Sequence, residues 1–324
     1  MKDLRVMQLR AKLAKKYGFT CLYIKIEAHS TMTIAEIEEI FLEQMPGFYE
    51  KEEIKSIASM AVQHVCGFNK SYYLLHKMAD LKPSQETDLI RILDELRFGK
   101  PLQYVLGEAD FYGLKFKVNN AVLIPRPETE ELVDWILASI KSDNILSDYI
   151  LDIGTGSGCI PIALKKNLPF SEVFAIDISN EALETARKNC LINEVEINLM
   201  YGDILDNQLK IANSKSKNPR FNIIVSNPPY ITLAEKETMQ ANVLQHEPYE
   251  ALFVPDANPL VFYRSIVDFA LANLSKNGHL FFEINEQFGP EVVSLLQQNG
   301  FKAELKKDLQ GKDRMIKACK EVEN

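Results

Sequence analysis

Residues 149–158 read Tyr-Ile-Leu-Asp-Ile-Gly-Thr-Gly-Ser-Gly, an apolar segment that runs directly into three closely spaced glycines. The segment predicts a buried strand, and the apolar positions from Ile160 to Leu164 predict a helix after the loop. Glycine has no Cβ, so the backbone of this loop can lie directly against a ligand. The spacing is G-x-G-x-G rather than the G-x-G-x-x-G of dinucleotide-binding loops, and the lysine of a P-loop is missing. The pattern predicts an α/β fold that binds a ligand without a pyrophosphate.

Polar side chains stand at the ends of the next three predicted strands; they are Asp177, Asp203 and Asn227. Because the carboxyl ends of parallel strands meet at one edge of a sheet, we expect these side chains to line a single cleft. Asp177 is placed to accept hydrogen bonds from ribose hydroxyls. We expect Asp203 to accept from an adenine amino group and Ile204 to pack on the adenine ring.

Residues 221–230 read Phe-Asn-Ile-Ile-Val-Ser-Asn-Pro-Pro-Tyr, which predicts a buried strand that two prolines bring to an end. Pro228 and Pro229 have no N–H to donate, so the carbonyls near them are available to a ligand. Asn227 adds a side-chain acceptor and Tyr230 adds a flat aromatic face. This arrangement suits a planar –NH2 group whose two N–H bonds meet two fixed acceptors. The alternative is an ordinary turn after a core strand, because Asn-Pro is common in turns.

The alternation of helices and strands continues to the end of the chain. The predicted elements are helices near 260–274 and 289–298 and strands near 279–284, 301–305 and 314–318. They complete a seven-stranded α/β sheet. The segment 240–256 has little periodicity, which predicts a loop near the cleft.

The chain before residue 101 is helical in pattern, with apolar residues at helix spacing from Ile34 to Leu96. The expected division is a basic leader or extension at 1–31, a small all-helical bundle at 32–100 for substrate recognition, a β-hairpin linker at 101–122, and a catalytic domain at 123–324. Arg126 lies between two prolines just ahead of a predicted helix, and Glu130 lies in the first turn of that helix. We place these two side chains at the lip of the ligand pocket; a rigid linker is the alternative.

Composition and charge narrow the class of protein. The 324 residues are 46% hydrophobic and 25% charged, with no apolar run near the roughly 18 residues that span a bilayer. Five scattered cysteines are typical of a reducing cytoplasm, and no metal site is expected. Residues 1–31 hold seven of the 37 basic residues and two of the 45 acidic ones, so the remainder has a net charge of −13. A body this acidic is a poor partner for a nucleic acid backbone.

The glycine loop together with Asn-Pro-Pro-Tyr resembles the class I S-adenosylmethionine-dependent methyltransferases that modify planar amino groups. Within that class, residues 123–130 (Leu-Ile-Pro-Arg-Pro-Glu-Thr-Glu), residues 247–252 (Glu-Pro-Tyr-Glu-Ala-Leu) and the helical front domain resemble the HemK/PrmC family. These are protein-(glutamine-N5) methyltransferases that act on the Gly-Gly-Gln loop of peptide chain release factors. The resemblance covers residues 33–319.

The resemblance implies a role for each matching residue. The cofactor would be lined by Gly154, Thr155, Gly156, Ser157, Gly158, Asp177, Asp203, Ile204 and Asn227. The substrate glutamine would be held by Asn227, Pro228, Pro229 and Tyr230, with Asn227 and the Pro228 carbonyl as the catalytic acceptors. The implied product is S-adenosylhomocysteine, and the expected protein is a cytoplasmic monomer without a membrane or stable nucleic acid partner. An adenine N6-methyltransferase acting on DNA or RNA is the alternative, because adenine presents the same two N–H bonds.

Overall fold

A computed structural model describes residues 31–45, 47, 49–211, 220–239 and 241–320. Contacts between residues divide the chain into two compact units, with the division between Leu106 and Gly107. The expected basic leader lies outside the described residues except for Thr31. Within the described ranges, no helix is both long enough and apolar enough to cross a membrane.

The first unit is the predicted helical bundle. Its helices are α1 Ile34–Gln44, α2 Lys51–Cys66, α3 Lys70–Leu75, α4 Pro83–Arg97 and α5 Leu102–Leu106. The first helix begins at a capping box, in which the Thr33 hydroxyl accepts from the Glu36 N–H and the Glu36 carboxylate accepts from the Thr33 N–H. Ile37 and Phe41 are fully buried where α1, α2 and α4 pack together. Amphipathic periodicity therefore located this bundle correctly.

A β-hairpin follows, but it is shorter than the predicted linker at 101–122. Its strands are β1 Glu108–Phe111 and β2 Leu114–Lys117, which pair in antiparallel fashion. Tyr112 and Gly113 connect them with φ of 52° and 71°, the left-handed conformation that suits a two-residue turn. Residues 102–106 are helical instead of extended, because the Pro101 carbonyl accepts from the N–H groups of Tyr104 and Val105 at 3.0 and 3.1 Å.

The hairpin belongs to the second unit and is bonded to it at several points. The Tyr112 N–H donates to Glu130 Oε1 at 2.7 Å. Lys117 exchanges two hydrogen bonds with the buried Asn189 amide, whose Nδ2 also donates to the Ser157 carbonyl at 2.8 Å. One asparagine thus connects the hairpin to the glycine loop.

The remaining strands are β3 Tyr149–Ile153, β4 Glu172–Asp177, β5 Asn198–Tyr201, β6 Phe221–Ser226, β7 Ile231–Thr232, β8 Phe253–Val254, β9 Leu274–Glu283, β10 Phe301–Lys307 and β11 Asp313–Lys320. Seven of them form one sheet in the order β10-β11-β9-β6-β3-β4-β5. Strand β11 is antiparallel to both neighbours, whereas the pairs among β9, β6, β3, β4 and β5 are parallel. The predicted seven-stranded α/β sheet is confirmed.

Helices cover the sheet, and the chain reverses direction across it at one point. The helices are α6 Pro127–Ser142, α7 Cys159–Asn167, α8 Asn180–Ile192, α9 Ala241–His246, α10 Tyr249–Leu252, α11 Val261–Asn273 and α12 Gly289–Gln298, with a 3-10 helix at Ala234–Thr238. The chain passes from β3 to β4 on one side and later returns to β6 on the other side of β3. Ligands of open α/β sheets bind at such a switch point, outside the carboxyl ends of the strands.

The segment 240–256, predicted as a loop, contains two short helices and a strand. Strand β8 pairs in parallel with β7, which directly follows the Asn-Pro-Pro-Tyr turn. Strand β8 forms because it pairs with β7, about twenty residues earlier in the chain, and the local periodicity of 240–256 cannot predict such a pairing.

Candidate active site

The glycine loop is shaped by three left-handed residues. Gly154, Gly156 and Gly158 have φ of 75°, 53° and 80°. A Cβ at Gly154 or Gly156 would meet nothing within 4 Å, whereas one at Gly158 would lie 3.2 Å from Ala186 Cβ and from the Ile162 side chain. The third glycine therefore allows helix packing, and the first two leave bare backbone that a ligand can approach.

Asp177 is fixed at the end of β4 by backbone donors. Its Oδ2 accepts from the Gly156 N–H at 2.8 Å and its Oδ1 from the Ser179 N–H at 2.9 Å. Burial raises the pKa of this carboxyl, and backbone hydrogen bonds from Ser179, Gly156 and Ile178 oppose the rise. A carboxylate oxygen has two lone pairs, so each oxygen retains acceptor capacity for a hydroxyl group.

Asp203 and Ile204 lie beside Asp177, after the end of β5. The Gly202 N–H donates to the Asp177 carbonyl at 3.1 Å, and Asp203 Oδ1 accepts from the Leu205 N–H at 2.8 Å. Ile204 is partly buried and packs on the main core. The structure thus brings the predicted ribose and adenine residues to the same edge of the sheet.

A buried acid in the glycine segment escaped the sequence analysis. Asp152 is fully buried in β3, and neither carboxylate oxygen has a hydrogen-bond partner among the described residues; the Thr155 hydroxyl lacks one too. Burial raises the pKa of Asp152 to about 7; the Thr155 hydroxyl opposes this rise and the nearby Asp177 charge adds to it. The available signal was an acidic residue inside an otherwise apolar strand.

The Asn-Pro-Pro-Tyr turn begins where β6 ends. The Ser226 hydroxyl donates to the Ile153 carbonyl at 2.7 Å, which ties this turn to the start of the glycine loop. Asn227 Nδ2 donates to the Thr129 hydroxyl oxygen at 3.3 Å, and no described residue donates to Asn227 Oδ1. Pro228 is buried. The turn therefore combines a rigid backbone with an available side-chain acceptor.

Tyr230 is tied down by both its side chain and its backbone. Its hydroxyl donates to Glu283 Oε1 at 3.2 Å, and its carbonyl accepts from Asn285 Nδ2 at 3.2 Å. Burial, followed by the Glu283 charge, raises the pKa of the Tyr230 hydroxyl well above its usual value. The residue is accordingly a neutral phenol with a fixed ring.

The two predicted lip residues have different surroundings. Arg126 forms an ion pair with Glu247 at 2.5 Å, and the Glu247 side chain is only 1% exposed. This pair joins the segment before α6 to the residue that follows α9, and the two residues lie in the stretches 123–130 and 247–252 that carry the family resemblance. Glu130 instead accepts from the hairpin at Tyr112. The hydrogen bond observed for Glu130 thus holds the turn of the hairpin.

A family model described as "Methyltransferase small domain" matches residues 134–253, which include the glycine loop, Asp177, Asp203 and the Asn-Pro-Pro-Tyr turn. The fold is therefore that of a methyltransferase. A second model, "PrmC N-terminal domain", matches residues 49–107.

Curated relatives align with this chain over nearly the whole of their own length. A release factor glutamine methyltransferase from Flavobacterium psychrophilum is 44% identical over 288 residues, covering 88% of this chain and 99% of the relative. The protein of the same name from Bacteroides thetaiotaomicron is 39% identical over 277 residues, covering 85% and 96%. The chain belongs to the release factor glutamine methyltransferase family, which confirms the resemblance to HemK/PrmC.

Proposed function

We propose that this protein transfers a methyl group from S-adenosylmethionine to the side-chain amide nitrogen of the glutamine in the Gly-Gly-Gln motif of a peptide chain release factor. Membership of the family supports the reaction class. The observation that carries the proposal is the turn after β6, where Asn227 Oδ1 is available next to buried Pro228 and is tied through Ser226 to the glycine loop. An acceptor pair beside a cofactor loop suits an amide –NH2 group.

The residues at the ends of β3, β4 and β5 fit S-adenosylmethionine. The bare backbone at Gly154 and Gly156 leaves room for it, and the negative charge of the buried Asp152 carboxylate, just before the loop, would attract its ammonium group. Asp177 would accept from the ribose hydroxyls, and Asp203 and Ile204 would flank the adenine. When bound, the cofactor supplies an electrophilic methyl group on a sulfonium sulfur.

The protein has to overcome the low nucleophilicity of an amide nitrogen, whose lone pair is delocalised into the carbonyl. Asn227 Oδ1 and the Pro228 carbonyl would accept its two N–H bonds and orient the lone pair toward the methyl carbon. These acceptors are fixed before the reaction, so they stabilise the positive charge that develops on nitrogen in the transition state. Transfer would form the N–C bond as the S–C bond breaks, and the acidic methylated nitrogen would then release its proton to water, with S-adenosylhomocysteine as the other product.

We expect cofactor affinity to depend on pH through Asp152. The pKa of about 7 means that this carboxyl is mostly ionised at pH 8 and mostly neutral at pH 6. Because the ionised form attracts the ammonium group, the Kd for S-adenosylhomocysteine should rise by up to about tenfold from pH 8 to pH 6. Titration calorimetry at both pH values measures this change.

Asp152→Asn should bind weakly at both pH values and lose most of the pH dependence. Asp268→Asn, a change at an exposed position of α11, should behave like the unchanged protein. Retention of the full pH dependence in Asp152→Asn would contradict the assignment.

Methyl transfer from labelled S-adenosylmethionine tests the proposed function. The acceptors are a purified release factor, its Gln→Ala variant in the Gly-Gly-Gln motif, and duplex DNA. We expect label on the first acceptor alone. Label on the Gln→Ala variant would place the reaction at another residue, and label on DNA would establish the adenine N6 alternative instead.

A further inference from the structure

A buried carboxylate at the end of β9 accepts hydrogen bonds from α6 and from the Asn-Pro-Pro-Tyr turn. Glu283 is 1% exposed; its Oε2 accepts from the Thr129 hydroxyl at 2.7 Å and its Oε1 from the Tyr230 hydroxyl at 3.2 Å. The backbone at this point is fixed as well, because the Tyr263 hydroxyl donates to the Glu283 carbonyl at 3.1 Å. Thr129 and Glu283 both lie outside the residues that the methyltransferase model matches.

The Thr129 hydroxyl has one hydrogen, and the position of that hydrogen decides what Asn227 can do. The hydrogen goes to Glu283, a strong acceptor, at the short distance of 2.7 Å. The Thr129 oxygen can then only accept hydrogen bonds, through its lone pairs, so its other neighbour has to be a donor. Asn227 meets that requirement with Nδ2 at 3.3 Å.

The reverse orientation of the Asn227 amide is unfavourable because the Thr129 hydroxyl has only one hydrogen to donate. It would bring Oδ1 against the Thr129 oxygen, where two acceptors would compete for one hydrogen. Giving that hydrogen to Asn227 would take it from the buried Glu283 carboxylate, and losing a hydrogen bond to a buried charge is costly. It would also turn Nδ2, a donor, toward the substrate N–H groups.

We propose that Thr129 and Glu283 form a relay that sets the amide orientation of Asn227, so that Oδ1 rather than Nδ2 is presented to the substrate amide. This inference rests on the proposed function, in which Asn227 accepts from the substrate. Both relay members are positioning residues. Their contribution is that the acceptor faces the substrate amide before the reaction begins.

Two hydrogen bonds and one positive charge favour the ionised form of Glu283. Burial and, to a smaller extent, the Glu128 charge raise the pKa of Glu283, whereas the hydrogen bond from Thr129, the positive charge of Arg314 and the hydrogen bond from Tyr230 oppose that rise. Hydroxyl donors approach both carboxylate oxygens.

Thr129→Val tests the relay, because it replaces a hydroxyl by a methyl group of similar size. We expect kcat for release factor methylation to fall about tenfold, the equivalent of one hydrogen bond, with KM for the cofactor within about twofold. Thr129→Ser keeps the hydroxyl and should restore kcat to within about twofold of the unchanged protein.

Thr185→Val is the matched control for the loss of a buried threonine hydroxyl. Thr185 is 2% exposed, accepts from Asn119 Nδ2 at 3.1 Å and donates to the Glu181 carbonyl at 3.0 Å, so it occupies a similar asparagine–threonine–acceptor chain on α8. We expect it to lower Tm as Thr129→Val does, but to leave kcat unchanged.

A second measurement does not depend on activity. In protein labelled with ¹⁵N-asparagine, the Asn227 side-chain amide should exchange with solvent slowly in the unchanged protein and in Thr129→Ser, and several-fold faster in Thr129→Val. Failure of the unchanged protein to methylate a release factor would overturn the proposed function, and amide exchange would still decide the relay. The relay is wrong if Thr129→Val leaves both kcat and Asn227 exchange unchanged, or if Thr129→Ser is as impaired as Thr129→Val.

Discussion

Replacing Asn227 with alanine should lower kcat for release factor methylation by about 30- to 1,000-fold, which corresponds to roughly 2–4 kcal/mol of transition-state stabilisation. The substitution removes the side-chain acceptor, while the Pro228 carbonyl and the rest of the turn remain. Single-turnover rates measured at saturating S-adenosylmethionine isolate this effect from any change in cofactor affinity.

Asn198→Ala is a suitable control for the loss of an asparagine side chain. Asn198 begins β5, at the edge of the sheet opposite the site, and its Nδ2 donates to the Val173 carbonyl at 3.3 Å. This variant should retain the normal rate. If Asn227→Ala bound cofactor and also turned over normally, Asn227 would have no part in the chemistry.

Gly156→Val should weaken S-adenosylhomocysteine binding by about 100-fold or more. A β-branched residue is strained at the φ of 53° observed here, and its side chain would project into the space that the cofactor needs. Titration calorimetry gives the Kd, and thermal unfolding gives the accompanying loss of stability.

Gly300→Val separates backbone strain from cofactor exclusion. Gly300 has φ of 76° with nothing within 4 Å of its Cβ position, but it lies between α12 and the start of β10, away from the carboxyl ends of the strands. The Gly300→Val variant should lose about as much stability as Gly156→Val, but its Kd for S-adenosylhomocysteine should equal that of the unchanged protein. Equal loss of affinity in both variants would show that strain alone accounts for the effect.

The sheet and the polar residues at its edge were predictable because their signals are local. A short apolar run that ends in glycine or proline defines a strand end, and the carboxyl ends of parallel strands meet by geometry. Asp177, Asp203 and Asn227 were therefore found without knowledge of the strand order. The periodicity of the first unit likewise identified its helices.

The hydrogen bonds and the ion pair that hold those residues in place were not predictable, because their partners are far apart in the chain. Thr129 and Glu283 are separated by 154 positions, and Arg126 and Glu247 by 121. Asp152 was visible as an acid in a strand, but its lack of a partner is a property of the packed core. Residues 104–118 were predicted as a hairpin because aromatic and polar residues alternate around Gly113, but hydrogen bonds from the Tyr104 and Val105 N–H groups to the Pro101 carbonyl make the first part of this stretch helical.

The hairpin has a consequence for recombination between members of this family. Asn189 bonds both to Lys117 of the hairpin and to the Ser157 carbonyl of the glycine loop, and Phe111 and Phe116 of the hairpin are buried in the core around Trp135. A chimera that exchanges helical bundles at Leu123 would also take its hairpin from the other protein. That hairpin would replace the one that is bonded through Asn189 to the glycine loop. Crossover between Leu106 and Gly107 leaves those contacts in their native combination, so a chimera joined there retains the hairpin that belongs to its own glycine loop.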